Sequence, residues 1–267
     1  MRKQAFRSPK LQRKTRQRRI HKLVLVGVLL CFVVAMGVYG VLRPEFRIHE
    51  IKIDGGESVP TELIADYIRH GMQGTYLGFI PKEHILFYPQ HALTAGVLQA
   101  FPVLSHVAIS RGGFSSVHVS AVSRNPYALW CEGEACYFID ETGFVFAPAP
   151  DTSLSLYYRI TTEILATTTP VGTARIERDH LADVFSLLVR LESLGFETSD
   201  LRILPQGEHV VVLRGGARLL FGTDSFTPTL NRLETLLAEQ ELVPRLDSGS
   251  LDVDYIDLRY GNKIYFK

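Results

Sequence analysis

The stretch that decides the architecture is LVLVGVLLCFVVAMGVYGVL, residues 23–42, twenty positions without a charged side chain. A helix rises about 1.5 Å per residue, so a segment of this length spans roughly 30 Å, the thickness of the hydrocarbon core of a bilayer. Arg43 and Pro44 follow, and proline disfavours continuation of a helix. The sequence therefore predicts a single transmembrane helix over residues 23–42.

The segments on the two sides of this helix carry opposite charge. Residues 1–22 hold ten of the 29 basic residues and no acidic one, which leaves 19 basic residues against all 28 acidic residues in the rest of the chain. Positively charged flanks of spanning helices stay on the cytoplasmic side. We therefore expect a basic cytoplasmic tail over residues 1–22 and an acidic body, residues 43–267, outside the cell membrane.

A cleaved signal peptide and a nucleic-acid-binding arm are the alternative interpretations of this N-terminus. The apolar part of a signal peptide is usually about 7–15 residues long and ends at an A-x-A-like site. Residues 23–42 are longer and offer only poor substitutes for such a site. Basic residues beside a spanning helix also fit contact with anionic lipid. A membrane anchor is favoured, and no nucleic-acid partner is expected.

After the anchor, the apolar pattern predicts a module in the order strand, helix, helix, strand, strand. Residues 72–90 between the two helices are aromatic, contain two prolines and form a connector whose function the sequence leaves open. The predicted elements, from the apolar spacing and the Gly and Pro positions, cover residues 46–54, 61–71, 91–101, 103–110 and 115–123.

The remaining residues, 124–267, predict a β-rich domain with two helices. The helices are expected over residues 180–194 and 228–239, and Gly215-Gly216 marks a hairpin between strands. The last strands are expected over residues 255–260 and 264–266. The whole chain is therefore assigned to the α+β class, behind a single N-terminal transmembrane helix.

Cys131 and Cys136 lie in WCEGEACYFIDETGF, residues 130–144. If the flanking segments pair as strands, a four-residue loop of residues 132–135 sets these cysteines opposite each other, at a spacing that a disulfide accepts. An exported domain meets an oxidising compartment in many organisms. Free buried thiols and a metal or redox role are the alternatives, but zinc needs four ligands and redox pairs favour C-x-x-C. A structural disulfide is favoured.

Catalytic groupings are not evident in this sequence. It contains no G-x-S-x-G, H-E-x-x-H or P-loop motif. Asp252, Asp254 and Asp257 lie close together and suggest a cation site, but a D-x-D pattern alone is common, and alternation along a half-exposed strand is the favoured explanation. We expect no catalytic residue, no metal, no cofactor and no small-molecule substrate.

Four segments, in this order behind a basic tail and one spanning helix, resemble the FtsQ/DivIB family of bacterial cell-division proteins. They are Phe46-x-Ile-x-x-Ile51-x-Ile53-x-Gly55, Val122-Ser-Arg124-Asn-Pro126-x-Ala128-x-Trp130, Tyr137-Phe-Ile139-Asp140-x-x-Gly143-x-Val145-Phe146 and Ile256-Asp257-Leu258-Arg259-Tyr260-Gly261-Asn262. The resemblance implies a POTRA-like domain over residues 46–123 and an FtsQ-type β domain over residues 124–267.

The resemblance also implies a scaffold rather than an enzyme. Such proteins bind FtsB- and FtsL-like proteins outside the plasma membrane at the division septum, and link early and late division proteins to septal wall synthesis. In the family the partner docks on the last strands, and Arg259 and Tyr260 match that motif by position. Ile264, Tyr265 and Phe266 are added because an end strand leaves one row of backbone groups for a partner. A membrane-anchored envelope hydrolase and a POTRA-bearing secretion component are the alternatives.

Overall fold

The structure, a computed structural model, describes residues 9–153, 155–163, 169–223, 225–238, 246–247, 250–251, 253–261 and 263–267. The chain divides into two compact units. The first comprises Met1–Gly56, Pro60–Val97 and Val107–Ala121, and the second comprises Glu57–Val59, Leu98–His106 and Val122–Lys267. Helices and strands occur in both units, so the predicted α+β class is confirmed.

A single long helix, α1 (Pro9–Leu42), begins the described chain. Within it, the segment Arg19–Gly40 has a mean hydropathy of 2.6. The protein buries none of this segment. No other helix of the described residues is long and apolar enough to cross a membrane. The helix starts before residue 23 because the Arg, Lys and Gln residues ahead of it are good helix formers. The structure therefore contains a helix at the predicted position, and this helix is a candidate for spanning a membrane.

A three-stranded sheet with two helices follows this anchor, and its strands lie in the order β1-β5-β4. Strands β1 and β5 are parallel, with Ile51 opposite Val117 and Ile53 opposite Val119. The predicted order of strand, helix, helix, strand, strand is found, with a small hairpin, β2–β3, inserted in the connector. The elements are β1 (Glu50–Gly55), α2 (Thr61–Gly71), β2 (Thr75–Tyr76), β3 (Ile80–Pro81), α3 (Gln90–Ala100), β4 (Leu104–Arg111) and β5 (Ser116–Ser123).

Two details of this region differ from the sequence prediction. The first strand begins at Glu50 rather than Phe46, because the backbone before it bonds to the connector: Ile48 N–H donates to the Glu83 carbonyl at 2.9 Å. The helical spacing of Leu63, Ile64, Tyr67 and Ile68 predicts that these four residues face inward on α2, but the buried residues are Ile64, Ala65 and Ile68, and Leu63 is 52 % exposed.

The second unit is built on a ten-stranded sheet with the order β10-β8-β7-β6-β9-β11-β12-β13-β16-β17. A separate pair, β14 and β15, lies outside it. The elements are β6 (Ala128–Glu132), β7 (Ala135–Ile139), β8 (Phe144–Pro148), β9 (Arg159–Thr162), β10 (Thr173–Ala174), α4 (Arg178–Ser193), β11 (Thr198–Ile203), β12 (His209–Leu213), β13 (Arg218–Phe221), α5 (Phe226–Ala238), β14 (Leu246–Asp247), β15 (Ser250–Leu251), β16 (Tyr255–Asp257) and β17 (Tyr265–Phe266).

The two predicted helices of this unit are crossover connections between parallel strands. Helix α4 lies between β9 and β11 in the chain, and α5 lies between β13 and β16; each of these strand pairs is parallel. Parallel neighbours need such a crossover. Both helices contribute to one core, whose buried residues include Leu181, Val184, Leu188, Leu191, Phe196, Leu201, Val211, Leu219, Phe221, Leu233 and Ile256. The sheet therefore buries one face beneath α4 and α5.

The cysteine hairpin has the predicted partners but a shorter loop. Cys131 lies opposite Cys136 in the β6–β7 pair, and the two are joined by a disulfide. The strands continue to Glu132 and Ala135, which pair with each other, so the loop has two residues instead of four. The first loop residue, Gly133, has φ +64°, a conformation that glycine adopts without steric cost.

Two of the segments quoted above meet in the structure around Asp140. One Asp140 oxygen accepts hydrogen bonds from the backbone N–H of Thr142 at 2.8 Å and from its hydroxyl at 2.6 Å. The other accepts from Arg124, whose guanidinium carbon lies 4.1 Å from the Phe144 ring centroid. Gly143 has φ +77°, and a Cβ there would lie 2.0 Å from the Ile176 carbonyl oxygen. The Asp-x-x-Gly turn is thus fixed by packing and by one ion pair.

A histidine pair, of which His209 is buried and His180 half-buried, lies next to the helix-covered core. His209 is 3 % exposed, and its Nε2 is 3.0 Å from Nε2 of His180. A single proton between these atoms means that one ring donates and the other accepts. Burial, and next the nearby His180, lower the pKa of His209 from 6.5 to about 4.

This pair predicts a loss of stability on mild acidification. The unfolded chain takes up the His209 proton as the pH falls through 6.5, whereas the folded chain resists until about pH 4. The free energy of unfolding should therefore fall across that window, by roughly 2–3 kcal/mol. Denaturant titrations between pH 7 and pH 4 would measure the loss. His209→Gln should flatten the profile, and His91→Gln, at an exposed position of α3, should leave it unchanged; an unaltered slope in His209→Gln would contradict the assignment.

Candidate partner-binding site

The predicted site residues lie at the last strand of the ten-stranded sheet. Strand β17 follows β16 at one end of the strand order, and their antiparallel register sets Phe266 opposite Ile256 and Tyr265 opposite Asp257. Backbone bonds beyond the pair extend the contact, since Asp254 N–H donates to the Lys267 carbonyl at 2.5 Å. The segment that carries the site is therefore held against β16 by its backbone.

Three aromatic side chains on this segment are open to solvent. Tyr260 is 55 % exposed, Tyr265 49 % and Phe266 46 %. The rings of Tyr260 and Tyr265 meet edge to face with their centroids 5.5 Å apart, a favourable aromatic geometry. Ile264 differs, because it is half-buried against the hydrophobic core. The structure thus brings four of the predicted residues to the end of the sheet but turns Ile264 inward.

The register places the two aromatic residues of β17 on opposite faces of the sheet. Phe266 continues the row that runs from Leu219 through Ile256, both of which belong to the core beneath the helices. Tyr265 continues the neighbouring row through Leu220 and Asp257. Successive side chains of a strand point to opposite faces. An added strand would therefore meet an aromatic side chain above and below its backbone.

Arg259 is held by carboxylates of its own chain. Its Nε donates to Asp257 Oδ1 at 2.9 Å and its Nη2 to Oδ2 at 2.7 Å, while Nη1 donates to Glu208 Oε2 at 2.8 Å. Hydrogen bonds from Arg259 lower the pKa of Asp257, which is 6 % exposed. The guanidinium carbon also lies 5.6 Å from the Tyr260 ring centroid. Arg259 therefore holds the residues at the start of the site in place. Its charge is already engaged by carboxylates of its own chain.

Sequence reasoning missed Glu208 and interpreted Asp257 incompletely. Glu208 is 51 residues away from Arg259 in the sequence, and no local sequence pattern predicts a contact over that separation. Asp257, noted for a possible cation site, is paired with Arg259 instead, while Asp254 is exposed and Asp252 lies outside the described residues. Within the described ranges there is no group of three or more His, Cys, Asp or Glu side chains that could hold a metal.

Removing Arg259 should destabilise the second unit. Arg259→Ala leaves the buried Asp257 carboxylate without its cation, and the loss of one partner from a buried pair is costly; with Arg259 partly exposed we expect about 2 kcal/mol. Arg214→Ala is the matched control, because the Arg214–Glu197 pair leaves the arginine side chain 78 % exposed and should contribute less than about 0.5 kcal/mol. Denaturant titration of both variants measures the difference, and equal effects would contradict the role assigned to Arg259.

Comparison with known proteins identifies the family of this fold. Residues 128–259 match the family model for the cell division protein FtsQ/DivIB, C-terminal. The match begins at β6 and ends at Arg259, so it contains the disulfide hairpin, both crossover helices and β16. A search of curated proteins finds no match to the chain. Through this C-terminal domain the chain belongs to the FtsQ/DivIB family, which implies a role in cell division.

Proposed function

We propose that this protein is a single-pass membrane scaffold of the bacterial divisome. It binds FtsB- and FtsL-like proteins outside the plasma membrane at the division septum, and it links early and late division proteins to septal wall synthesis. The observation that carries the proposal is the end strand β17, with Tyr265 and Phe266 on opposite faces and Tyr260 packed beside Tyr265.

Strand addition is the binding mode that this geometry supports. A partner segment pairs with β17, main-chain hydrogen bonds supply affinity, and side-chain contacts on alternate positions set the register. The exposed aromatic rings give large apolar contact areas with few rotatable bonds. Lys263 and Lys267, both exposed, flank the strand and disfavour pairing with basic or mismatched chains.

Charge and the disulfide support the proposed orientation. The positive-inside rule favours a cytoplasmic position for a tail with ten basic residues and no acidic one, which supports an external position of residues 43–267. The Cys131–Cys136 bond of the second unit belongs in an oxidising compartment. Two independent features thus support the same side of the membrane.

The proposed domains are a cytoplasmic tail (1–22), a spanning helix (23–42), a POTRA-like domain (46–123) and an FtsQ-type β domain (124–267). The order of strands and helices after the anchor, with β1 and β5 parallel in one sheet, supports the POTRA assignment. The FtsQ/DivIB match supports the β domain.

A scaffold is proposed over an envelope hydrolase because of the surroundings of the side chains. The most strongly shifted histidine, His209, contacts His180 and Phe226 and is almost fully buried, so its ring is not presented on the surface for a substrate. A POTRA-bearing secretion component is also less well supported, because it is expected to carry a barrel. The ten-stranded sheet here has two different end strands, β10 and β17.

Loss of the aromatic side chains should weaken partner binding. Tyr260→Ala, Tyr265→Ala and Phe266→Ala each remove an exposed ring and should cost about 2 kcal/mol, or roughly 30-fold in Kd, if the ring is an interface anchor. Pull-down and titration with the extracytoplasmic segments of FtsB- and FtsL-like proteins of the same cell would measure this. Leu156→Ala, at a residue that is 76 % exposed elsewhere in the second unit, is the control. Undiminished binding by all three variants would refute strand addition at β17.

Topology has its own test. Protease added to intact spheroplasts should degrade residues 43–267 and leave an N-terminal tag protected, because the positive tail holds the N-terminus inside. Immunoblots against the tag and against the body report the two fragments. A protected body with a digested tag would reverse the orientation, whatever the outcome of the binding experiments.

A further inference from the structure

The connector of the first unit is fastened to the chain that leaves the spanning helix. Ile85 N–H donates to the Phe46 carbonyl and Ile48 N–H to the Glu83 carbonyl, both at 2.9 Å. Arg47 and His84 form an isolated antiparallel bridge. These bonds hold the connector close to residues 46–48, just beyond the end of α1.

The connector also reaches the helix itself. Strand β3 contacts α1, and the His84 ring lies near the backbone of Gly40 in the last turn of that helix. His84 is 2 % exposed. The candidate membrane span runs to Gly40, so the connector lies at the level where α1 leaves the bilayer.

At this level the first unit exposes large apolar side chains. Leu77 is 86 % exposed, Phe79 56 %, Leu86 58 %, Phe87 43 % and Phe114 79 %. We call these five residues the juxtamembrane surface. Isolated exposed apolar side chains are ordinary on soluble proteins, but a cluster of this kind marks an interaction site.

Ring contacts link two residues of this surface, Phe87 and Phe114, through Phe46 and His84. The rings of Phe46 and Phe114 meet edge to face with centroids 6.2 Å apart, and Phe46 lies 6.0 Å from His84. His84 in turn lies 5.2 Å from Phe87. Phe46, the connector and the β4–β5 loop therefore share one aromatic cluster.

The hairpin tip holds its leucine in an unfavourable backbone conformation. Leu77 has φ +51°, and it is the only residue other than glycine with positive φ among the described residues. An L side chain is disfavoured there, and glycine or asparagine is the usual choice. An exposed leucine at such a position is best explained if its side chain leaves water for an apolar environment.

Basic side chains lie on the connector, on β4 and just after α1. Lys82 lies 5.6 Å from the Tyr76 ring centroid, and Arg111 approaches the Leu86 carbonyl at 3.5 Å. Arg43 pairs with Glu45 just after α1. Apolar and aromatic side chains rimmed by Lys and Arg are typical of segments that lie in the headgroup region of a bilayer.

We propose that the juxtamembrane surface inserts into the headgroup region of the leaflet from which α1 emerges, and so seats the first unit on the membrane. The bilayer is the occupant because the same connector contacts the end of the spanning helix, which fixes this surface beside lipid. The inference is independent of partner binding at β17 and of the orientation of α1.

The test measures the depth of single labels in the full-length chain. Cys31→Ser removes the free cysteine of the described residues, and Leu77→Cys, Phe79→Cys or Leu86→Cys then supplies one site for an environment-sensitive fluorophore. The protein is reconstituted in vesicles of phosphatidylcholine and phosphatidylglycerol. The labels at positions 77, 79 and 86 should show blue-shifted emission, several-fold stronger quenching by headgroup-proximal nitroxide lipids and several-fold weaker quenching by iodide than a label at Leu156→Cys.

Iodide quenching at positions 77, 79 and 86 equal to that at position 156 would overturn the proposal. The proposal would also be overturned if the labels lost their protection from iodide when the protein is diluted in lipid. Loss on dilution would mean that a second copy of the chain, and not lipid, covers the surface. Phe79→Asp should raise iodide quenching of the label at position 77, and circular dichroism of each variant confirms that the fold is kept. Three separate label positions ensure that one poorly folded variant does not decide the result.

Discussion

The constraint on which this molecule depends is the solvent that α1 requires. Its apolar segment, Arg19–Gly40, buries nothing within the protein, and only a lipid environment accommodates such a helix at low cost. In the proposed topology, everything after it is tied to a membrane surface. The connector is the part of the first unit that this constraint affects most directly. It is bonded to residues 46–48, so the end of the helix determines where the connector lies.

In the second unit, the order of the strands determines which strand ends the long sheet. Crossover helices α4 and α5 bury one face, and the parallel pairs β9–β11 and β13–β16 are the consequence of those crossovers. Helix α5 thereby returns the chain to the side of β13, so that β16 and then β17 complete the sheet. The topology of the sheet therefore determines where the candidate site lies. Its chemical character comes from Tyr260, Tyr265 and Phe266.

Local patterns predicted the elements that local forces determine. The charge-free stretch, the alternation of Val117, Val119 and Ala121 and the Gly215-Gly216 turn each found their element. Strands β9 and β11 were missed because β9 has only four residues and β11 contains the buried Asp200, a residue type that is depleted in strands. Asp200 pairs across strands instead, and its Oδ1 accepts from the Thr161 hydroxyl at 2.7 Å. The Arg259–Glu208 and His180–His209 contacts join residues far apart in the chain, and only the folded sheet brings them together.

The state of Arg259 bears on how strand addition would achieve specificity. Its guanidinium already satisfies Asp257 and Glu208, so a partner carboxylate would have to compete with two internal acceptors. Recognition at this edge therefore relies on backbone pairing and on the aromatic side chains, and the arginine contributes by holding β16 and the Tyr260 turn in place. An edge fixed before binding loses little conformational entropy when a strand is added. In the proposed binding mode, the ion pair would thus strengthen association through preorganisation, without touching the partner.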